Sequence, residues 1–454
     1  MIPFFLSIDF SLNKSIAVFL AVFLLAVFDL SQRLQGKKSQ YLFACILGTV
    51  LSLGLIRITQ NLLDPSFREN THVIALGILF LVILWKALFS PWDVLTKTTV
   101  LGTFVFWIAL FTFSYGTSEE RTVRLLAMIS ALIPAMVWCF LFLEYHRERF
   151  AVVLLMFFSG MVATVPILFY DALVRRGIEL QFFLFRIVPE SFNRSAEQFV
   201  SGQLMGIGNL HSTLLTVFLS FLIVGLIEEV SKYWVLRRSG QAIFTSIDDV
   251  LQLSIIVAIG FSFAENITNP GYFMGFVREY LITPDRPDVF GFLSNVVGRS
   301  IMTSMVHIVS TGVMGYFFGL AIFAGPYLEG EYKKGRIHKI LEWLHSLFRL
   351  RRKPIFRTQM VCTGLLLAIL LHGLFNFLVT FPDLIPGHPR TIGDLFHAPP
   401  TSFLHVIALL LFPALFYVVG GFWLLTGLFL RKENMQERGH PVRKEVYAQG
   451  AVAV

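Results

Sequence analysis

Long apolar runs are the feature that most constrains the fold of this chain. Windows of about 20 apolar residues, each long enough to cross a hydrocarbon layer as a helix, recur along most of its length. A segment in that layer must satisfy its own peptide groups, because no water is present to do so. The runs predict eleven transmembrane helices, near residues 15–31, 41–59, 72–90, 98–116, 125–145, 150–174, 212–236, 250–268, 300–325, 359–381 and 402–430.

The composition agrees with a membrane protein. Hydrophobic residues make up 56% of the chain and charged residues 15%, with 48 Phe among 454 residues. This is far from the balance of a soluble domain. We therefore expect an all-α fold, a polytopic integral membrane helical bundle with about 11 transmembrane helices. Three cysteines fall within predicted spans at no metal-binding spacing, and we interpret them as packing residues.

The basic residues predict the orientation of the chain. Nine of the 37 Lys and Arg residues lie between Lys333 and Arg357, and five lie between Arg431 and Lys444. Cytoplasmic loops carry an excess of these residues, so we expect both segments and the C-terminus in the cytosol, at a bacterial inner (cytoplasmic) membrane. Anionic lipids of the inner leaflet then account for the net charge of +8, and no nucleic-acid partner is expected. The segment 332–357 is predicted to contain a basic amphipathic helix lying on that leaflet.

The predicted span near 212–236 carries Glu228, Glu229 and Lys232 in its inner half. Ionisable groups inside spanning helices are costly and usually mark a functional site. Lys232 follows the two glutamates by four and three residues, so its ammonium can reach either carboxylate. Two adjacent carboxylates in low dielectric do not both ionise easily, and the pair is expected to hold a proton or a cation. The alternative is that the helix ends near Ile227 and the polar run meets cytosolic water.

The next three predicted spans also carry polar groups. Glu265 and Asn266 follow an apolar run, His307 lies inside the next span, and His372 and Asn376 are four residues apart on one helix face. The first six predicted spans contain nothing comparable. The four spans from 212 to 381 are therefore expected to share one site.

Small residues predict close helix packing in the same region. Gly260 allows a neighbouring helix to approach, and Gly315 and Gly319 form a small-xxx-small pair. Such positions bring polar groups on different helices within reach of one another.

Carboxylates and imidazoles can deprotonate water and can hold a metal or an oxyanion, so the residues predict water activation inside the membrane. A rival interpretation is a proton- or cation-coupled membrane transporter that uses the buried Glu/His cluster as its relay. A transporter would predict repeats with matching broken helices in both halves, and the sequence shows none. A third interpretation is a binding protein that keeps the site without turnover.

Four segments carry a resemblance to a known family: GLIEEVSK (225–232), GFSFAENI (260–267), the His307 span ending in GYFFG (315–319), and LHGLFNF (371–377). They resemble the motifs of PrsW-type intramembrane proteases, relatives of the CAAX prenyl endopeptidase and the bacteriocin-processing membrane proteases. The resemblance covers roughly residues 210–380 and implies hydrolysis of peptide bonds in membrane-embedded or membrane-proximal protein substrates, with the bilayer as the other partner. It implies a set of catalytic residues and one supporting residue: Glu228, Glu229, Glu265, His307, His372 and Asn376, supported by Lys232.

Two mechanisms fit these residues. In the metal-dependent version Glu265, His307 and His372 bind a zinc-like ion and Glu228 or Glu229 is the base. In the metal-free version Glu228 or Glu229 activates water with His307, while His372 and Asn376 stabilise the oxyanion. Zn²⁺ is thus the candidate cofactor of the first version, and the second needs none. The residues leave the choice open, and the resemblance favours the metal-free version, which relatives with the same glutamate pair are thought to use.

The sequence predicts three regions. Residues 1–200 form an N-terminal transmembrane region of six helices and an outer loop, whose role the sequence does not indicate. Residues 201–385 form the protease-like core, and residues 386–454 contain the last transmembrane helix and a cytosolic tail.

Overall fold

The fold is described by a computed structural model, which covers Val27 and residues 41–62, 71–90, 92–114, 116–145, 148–168, 181–182, 185–186, 210–283, 286–333, 335, 338–349, 351–385 and 387–436. The chain is organised as two compact units, Met1–Thr112 and Phe113–Val454. The predicted span near 15–31 lies outside the described residues apart from Val27, as does the tail beyond Gln436.

The described residues are almost entirely helical. The first unit contains α1 (Tyr41–Leu62), α2 (Thr71–Leu88) and nearly all of α3 (Val94–Ser114). The second unit contains α4 (Ser118–Leu143), α5 (Phe150–Ala163), α6 (Leu210–Gly240), α7 (Ile247–Thr268), α8 (Phe273–Val277), α9 (Val289–Ile322), α10 (Ala324–Lys333), α11 (Lys339–Phe348), α12 (Arg352–Leu384), α13 (Ile392–Leu395), α14 (Leu411–Ala414) and α15 (Gly421–Gln436). Its other elements are π-helical turns at Arg278–Ile282 and Leu415–Gly420, a 3₁₀ turn at Phe403–Val406, and an antiparallel pair, β1 (Gln181–Phe182) and β2 (Phe185–Arg186).

The prediction of an all-α membrane bundle is confirmed, although the count of eleven spans is not. Within the described residues, eight helical segments are long and apolar enough to cross a membrane: Tyr41–Ile58, Val94–Phe113, Ser118–Leu143, Phe150–Leu168, Ile247–Thr268, Val289–Ile322, Arg352–Leu384 and Leu411–Leu430. The segments predicted near 72–90 and 212–236 are helices as well, α2 and α6, but are not among these eight.

Helices α7 and α9 form the centre of the second unit. Nearly every residue of the apolar part of each is buried, and they pack against one another, with α5 on one side of α7 and α12 beside α9. Ser246 caps the start of α7: its hydroxyl accepts from the amide of Asp249, whose carboxylate accepts from the amide of Ser246. This reciprocal cap satisfies peptide groups that would otherwise be buried without partners.

Glycines bring these helices into close contact. A methyl group on Gly260 of α7 would overlap the carbonyl oxygen of Phe157 in α5, and one on Gly315 of α9 would overlap the Ser254 side chain in α7. A methyl group on Gly319 would lie 2.5 Å from Ile247 Cγ2. These three glycines therefore have the packing role that their spacing predicts.

Several helices are longer than the apolar runs that predict them. α9 begins at Val289, ahead of the predicted start at 300, and α12 spans Arg352–Leu384 against a predicted 359–381. Both helices therefore continue past the apolar runs from which the spans are predicted. The last predicted span, 402–430, begins as a spanning helix only at Leu411.

The basic segment before α12 contains the predicted helix, α11. Leu341 is buried against α10 and α12, whereas Ile340, Trp343 and Leu347 are exposed. Arg352 forms a bidentate pair with Glu342, with Nε–Oε1 and Nη2–Oε2 distances of 2.9 Å, and this pairing lowers the pKa of Glu342 to about 2. The helix is thus fixed to α12 by a salt bridge, and its position on the inner leaflet stays a prediction.

The contact between α5 and α7 gives a stability prediction. Gly260→Ala places a methyl group against the Phe157 carbonyl, which is backbone and cannot rotate away, so the helices must separate. We expect a loss of about 1–3 kcal/mol, the usual cost of overpacking, seen as a lower thermal midpoint of the purified protein in detergent. Gly427→Ala in α15 is the matched control, because a methyl group there meets nothing within 4 Å. Equal midpoints for Gly260→Ala and the wild type would contradict the prediction.

Candidate active site

Four neighbouring helices of the second unit place the predicted polar residues in one cluster. Its members come from α6, α7, α9 and α12: Glu228, Glu229, Lys232, Glu265, His307, His372 and Asn376. All are buried except Glu265, whose side chain is 18% exposed. The structure therefore brings together every residue that the sequence assigns to the site.

Lys232 lies at the centre of the cluster. Its ammonium is 2.7 Å from Glu229 Oε1, 2.9 Å from His307 Nδ1 and 3.6 Å from Glu228 Oε2. The same Nζ lies 4.0 Å from the centre of the Phe261 ring. Carboxylates, an imidazole nitrogen and an aromatic face thus surround a charge that has no contact with water, as a buried cation requires.

Glu229 is held at both of its oxygens. Oε1 accepts from Lys232 and lies 2.9 Å from His372 Nδ1, while Oε2 accepts a hydrogen bond of 2.8 Å from Thr311. The residue is completely buried and is not among the residues that line the cavity described below. Its carboxylate joins α6 to α9 and α12.

Glu228 differs from its neighbour in the chain. Its Oε2 is buried and has no hydrogen-bond partner among the described residues, although it lies 3.6 Å from His372 Nε2 and 4.0 Å from His307 Nδ1. It lines the cavity described below. An anionic oxygen in this position can bind a water proton or a cation.

The hydrogen bonds assign the tautomers of both histidines. Lys232 can only donate, so Nδ1 of His307 accepts from it, and Nε2 donates across 2.9 Å to Glu265 Oε2. Nδ1 of His372 donates to the acceptor-only carboxylate of Glu229, so in the neutral ring Nε2 is the acceptor, and it faces Glu228. A carboxylate behind an imidazole fixes the orientation and the basicity of the ring.

Arg299 and Tyr272 extend the cluster beyond the residues that the sequence indicates. The Arg299 Nε donates to Asn266 Oδ1 across 2.7 Å, and its Nη2 lies 3.5 Å from Glu265 Oε1. The guanidinium lies over the ring of Tyr272. Arg299 precedes His307 by eight residues and so shares its helix face, which is the one sequence signal that could have identified it.

Five members of the cluster line a cavity of about 480 Å³: Glu228, Glu265, His307, His372 and Asn376. Its apolar walls include Met302, Val306, Phe375 and Val379. Asn376 also faces it, and the buried Nδ2 of that side chain has no partner among the described residues. The cavity thus combines apolar walls with a few polar groups at one end, the usual form of a substrate site.

The cavity extends towards one end of the bundle. Ser294 lies near the start of α9, while Thr380 and Asp383 lie near the end of α12, and all three line it, together with Leu410. The basic helix α11 lies between the end of α9 and the start of α12, so it belongs to the opposite end.

The residues present suit a metal ion. Oxygen and nitrogen atoms of Glu228, His307 and His372 lie within 4.8 Å of one another, and Glu228 Oε2 has no hydrogen-bond partner among the described residues. Two imidazoles and one carboxylate are a common ligand set of catalytic zinc. The geometry groups Glu228 with the two histidines, whereas the sequence proposes Glu265 as the carboxylate ligand. Glu265 is instead hydrogen-bonded to His307 and paired with Arg299.

A family model of the PrsW family intramembrane metalloproteases matches residues 148–412. The matched range exceeds half of the chain and contains α5 to α13 and all members of the cluster. No curated protein matches the chain, and no solved structure does. On the family match, the chain belongs to the PrsW family of intramembrane metalloproteases.

Proposed function

We propose that the cavity is the active site at which this intramembrane protease hydrolyses peptide bonds, with Glu228 as the acceptor of the proton from the attacking water. The observation that carries this assignment is the buried Glu228 oxygen, which faces the cavity without a hydrogen-bond partner among the described residues. A transporter is not favoured, because the matched family is one of proteases.

The other residues have distinct tasks in this proposal. The Asn376 Nδ2 donates to the carbonyl oxygen of the scissile bond, since it is an unpaired donor on the cavity wall. Glu229 orients His372, and Glu265 orients His307. Lys232 offsets the negative charge of the glutamate pair. These roles make the site ready for a water molecule without rearrangement of the buried groups.

A metal ion, if the enzyme uses one, would be held by Glu228, His307 and His372. When bound, such an ion polarises a carbonyl group and lowers the pKa of water, which is the chemistry that zinc proteases use. The family description and this ligand set support the metal-dependent version. The metal-free version is supported by His307, both of whose ring nitrogens are already hydrogen-bonded.

Metal analysis and chelation distinguish the two versions. Zinc content is measured by mass spectrometry in the wild type and in His372→Ala, and cleavage is measured after dialysis against a chelator. Stoichiometric zinc that His372→Ala loses, with chelator-sensitive cleavage restored by added zinc, establishes the metal-dependent version. Full cleavage by protein without metal establishes the metal-free version and leaves the role of Glu228 intact.

The substrate is proposed to reach the site from the outer face of the membrane. The cavity extends towards Ser294, Thr380 and Asp383, at the end of the bundle opposite α11. The basic residues predict that α11 and the C-terminal tail are cytosolic. Substrates are therefore proposed to be single-span or membrane-proximal proteins that are cut near the outer face.

We also propose that the protein is related to the wider CAAX protease superfamily.

The proposed topology predicts a labelling pattern. In a variant lacking the three native cysteines, Ser294→Cys should react with a membrane-impermeant maleimide added to intact cells. Gly335→Cys, on the α11 side, should react only after the membrane is permeabilised. The opposite pattern would place the mouth of the cavity on the cytosolic side.

The two adjacent glutamates are predicted to respond differently to neutralisation. Glu228→Gln removes the proton acceptor, so cleavage should fall by about 10²–10⁴-fold with little change in thermal stability. Glu229→Gln leaves Lys232 without its closest counter-ion, so it should lower stability by about 3–5 kcal/mol, the usual cost of breaking a buried pair. The substrate for both assays is whichever of a panel of reconstituted single-span proteins the wild type cleaves. Full cleavage by both variants would end the assignment of this site.

Lys232→Met is predicted to resemble Glu229→Gln. Removing the ammonium leaves the carboxylate of Glu229 buried with only Thr311 and His372 as partners. We expect a loss of about 3–5 kcal/mol and loss of cleavage. Arg352→Met is the control, because it removes an arginine from a solvent-exposed pair outside the site, and exposed pairs contribute little to stability. A Lys232→Met protein as stable and active as Arg352→Met would refute the central role of Lys232.

A further inference from the structure

We propose that Arg299 is a positioning residue for the hydrolysis, acting through Glu265 on His307; this inference rests on the proposed function of the cavity. Its guanidinium holds one oxygen of the Glu265 carboxylate, while the other oxygen holds the His307 ring. The three side chains form a continuous connection from the cavity wall to the centre of the cluster.

The contacts of Arg299 define a fixed orientation. Nε donates to Asn266 Oδ1 across 2.7 Å, Nη2 lies 3.5 Å from Glu265 Oε1, and the guanidinium lies over the ring of Tyr272. The Arg299 side chain is 18% exposed, and Asn266 and Tyr272 are buried. One hydrogen bond, one ion pair and a stacking surface restrain a planar group in position and in tilt.

Glu265 needs this restraint more than the other carboxylates of the cluster. Its side chain is 18% exposed at the cavity, whereas those of Glu228 and Glu229 are 6% and 0% exposed. A carboxylate that water can reach has alternative partners and is free to rotate away from His307. Arg299 opposes that rotation because it binds Oε1 and so leaves Oε2 directed at His307 Nε2, 2.9 Å away.

The His307 ring depends on Glu265 for its position. It has one hydrogen bond at each nitrogen, to Lys232 and to Glu265, and both partners must persist for the ring to keep its orientation. The ring centre lies 4.9 Å from that of His372, so a rotation of His307 would change the imidazole pair facing Glu228. Loss of Arg299 should therefore lower turnover without removing any group that touches the substrate.

A lysine cannot replace this arrangement. Arg299 uses Nε and Nη2 at the same time for Asn266 and Glu265, and a lysine ammonium is a single point without the planar fork. Arg299→Lys keeps the charge and should recover only part of the activity that Arg299→Gln loses. This graded response separates orientation from simple charge compensation.

The test compares turnover in Arg299→Gln, Arg299→Lys and Arg352→Gln. We expect kcat to fall about 10–100-fold in Arg299→Gln, the usual effect of losing an outer partner of a site residue, with KM within about twofold of the wild type, and Arg299→Lys to lie between. Arg352→Gln removes a better-formed arginine–glutamate pair outside the site and should keep wild-type kcat. Wild-type kcat in Arg299→Gln, or a change confined to KM, would overturn the inference.

A double variant tests whether Arg299 acts through Glu265. If it does, Arg299→Gln in a Glu265→Gln background should lower kcat no further than Glu265→Gln alone, a non-additive result. Multiplied losses would mean that Arg299 acts independently of Glu265 and would overturn the inference. If Arg299→Gln fails to fold, Asn266→Ala removes the partner of Nε and should give a smaller loss confined to kcat, and wild-type kcat in that variant would overturn the inference.

These outcomes are separate from those of the proposed function. The assignment of the active site fails if Glu228→Gln and Glu229→Gln both cleave normally. The role of Arg299 fails alone if Glu228→Gln is inactive while Arg299→Gln keeps wild-type kcat.

Discussion

The buried ammonium of Lys232 is the interaction on which the arrangement of the second unit depends. An isolated charge in this environment costs several kcal/mol, and the cost is offset only where opposite charges and acceptors surround it. Two of the groups around it, Glu228 and Glu229, lie on the same helix as Lys232. Phe261 lies on α7 and His307 on α9. His372 of α12 contacts Lys232 indirectly, through its hydrogen bond with Glu229. One side chain therefore requires four helices to meet at one depth. Apolar contacts alone would not set that register, since lipid tails are as apolar as a leucine side chain.

The polar network also requires that backbones approach closely, and glycines beside the site permit this. Gly373 follows His372, and a methyl group there would lie 2.7 Å from the Leu222 side chain in α6, whereas one on Gly225, one turn before Glu228, would meet the Ile369 carbonyl at 3.3 Å. The crossing of α6 and α12 is thus tight at the level of the Glu229–His372 contact. Side chains of moderate length can form hydrogen bonds of about 2.9 Å only if their helices are this close. The glycines therefore contribute to the geometry of the site as well as to helix packing.

The sequence predicts the fold class and the members of the site, but it does not predict their roles. Apolar runs identify spanning helices because the bilayer excludes unpaired peptide groups. They underestimate the lengths of α9 and α12, which continue beyond the predicted spans. His307 therefore falls in the first third of its predicted span, although it lies near the middle of α9. The sequence does not indicate Arg299 as a site residue for the same reason. It directly precedes the predicted span, and an arginine at the end of a span is usually interpreted as one whose side chain extends into water. The family match begins at residue 148 and includes α5, which packs closely against α7, whereas the sequence places that helix in the N-terminal region.

Glu228 and Glu229 show why roles need a structure. Consecutive residues on a helix point about 100° apart, and nothing in the letters EE tells which one faces the cavity. The neighbouring side chains decide this. Thr311, His372 and Lys232 hydrogen-bond to the two oxygens of Glu229, whereas Glu228 Oε2 at the cavity has no hydrogen-bond partner among the described residues. A fully bonded carboxylate is well suited to holding helices and a poor proton acceptor, because its lone pairs are already occupied. An incompletely bonded carboxylate has the opposite properties, and the Lys232 ammonium, 3.6 Å from Glu228 Oε2, offsets its negative charge. If Glu228 has its proposed role, the adjacent pair thus separates the structural task from the chemical one within a single turn of helix.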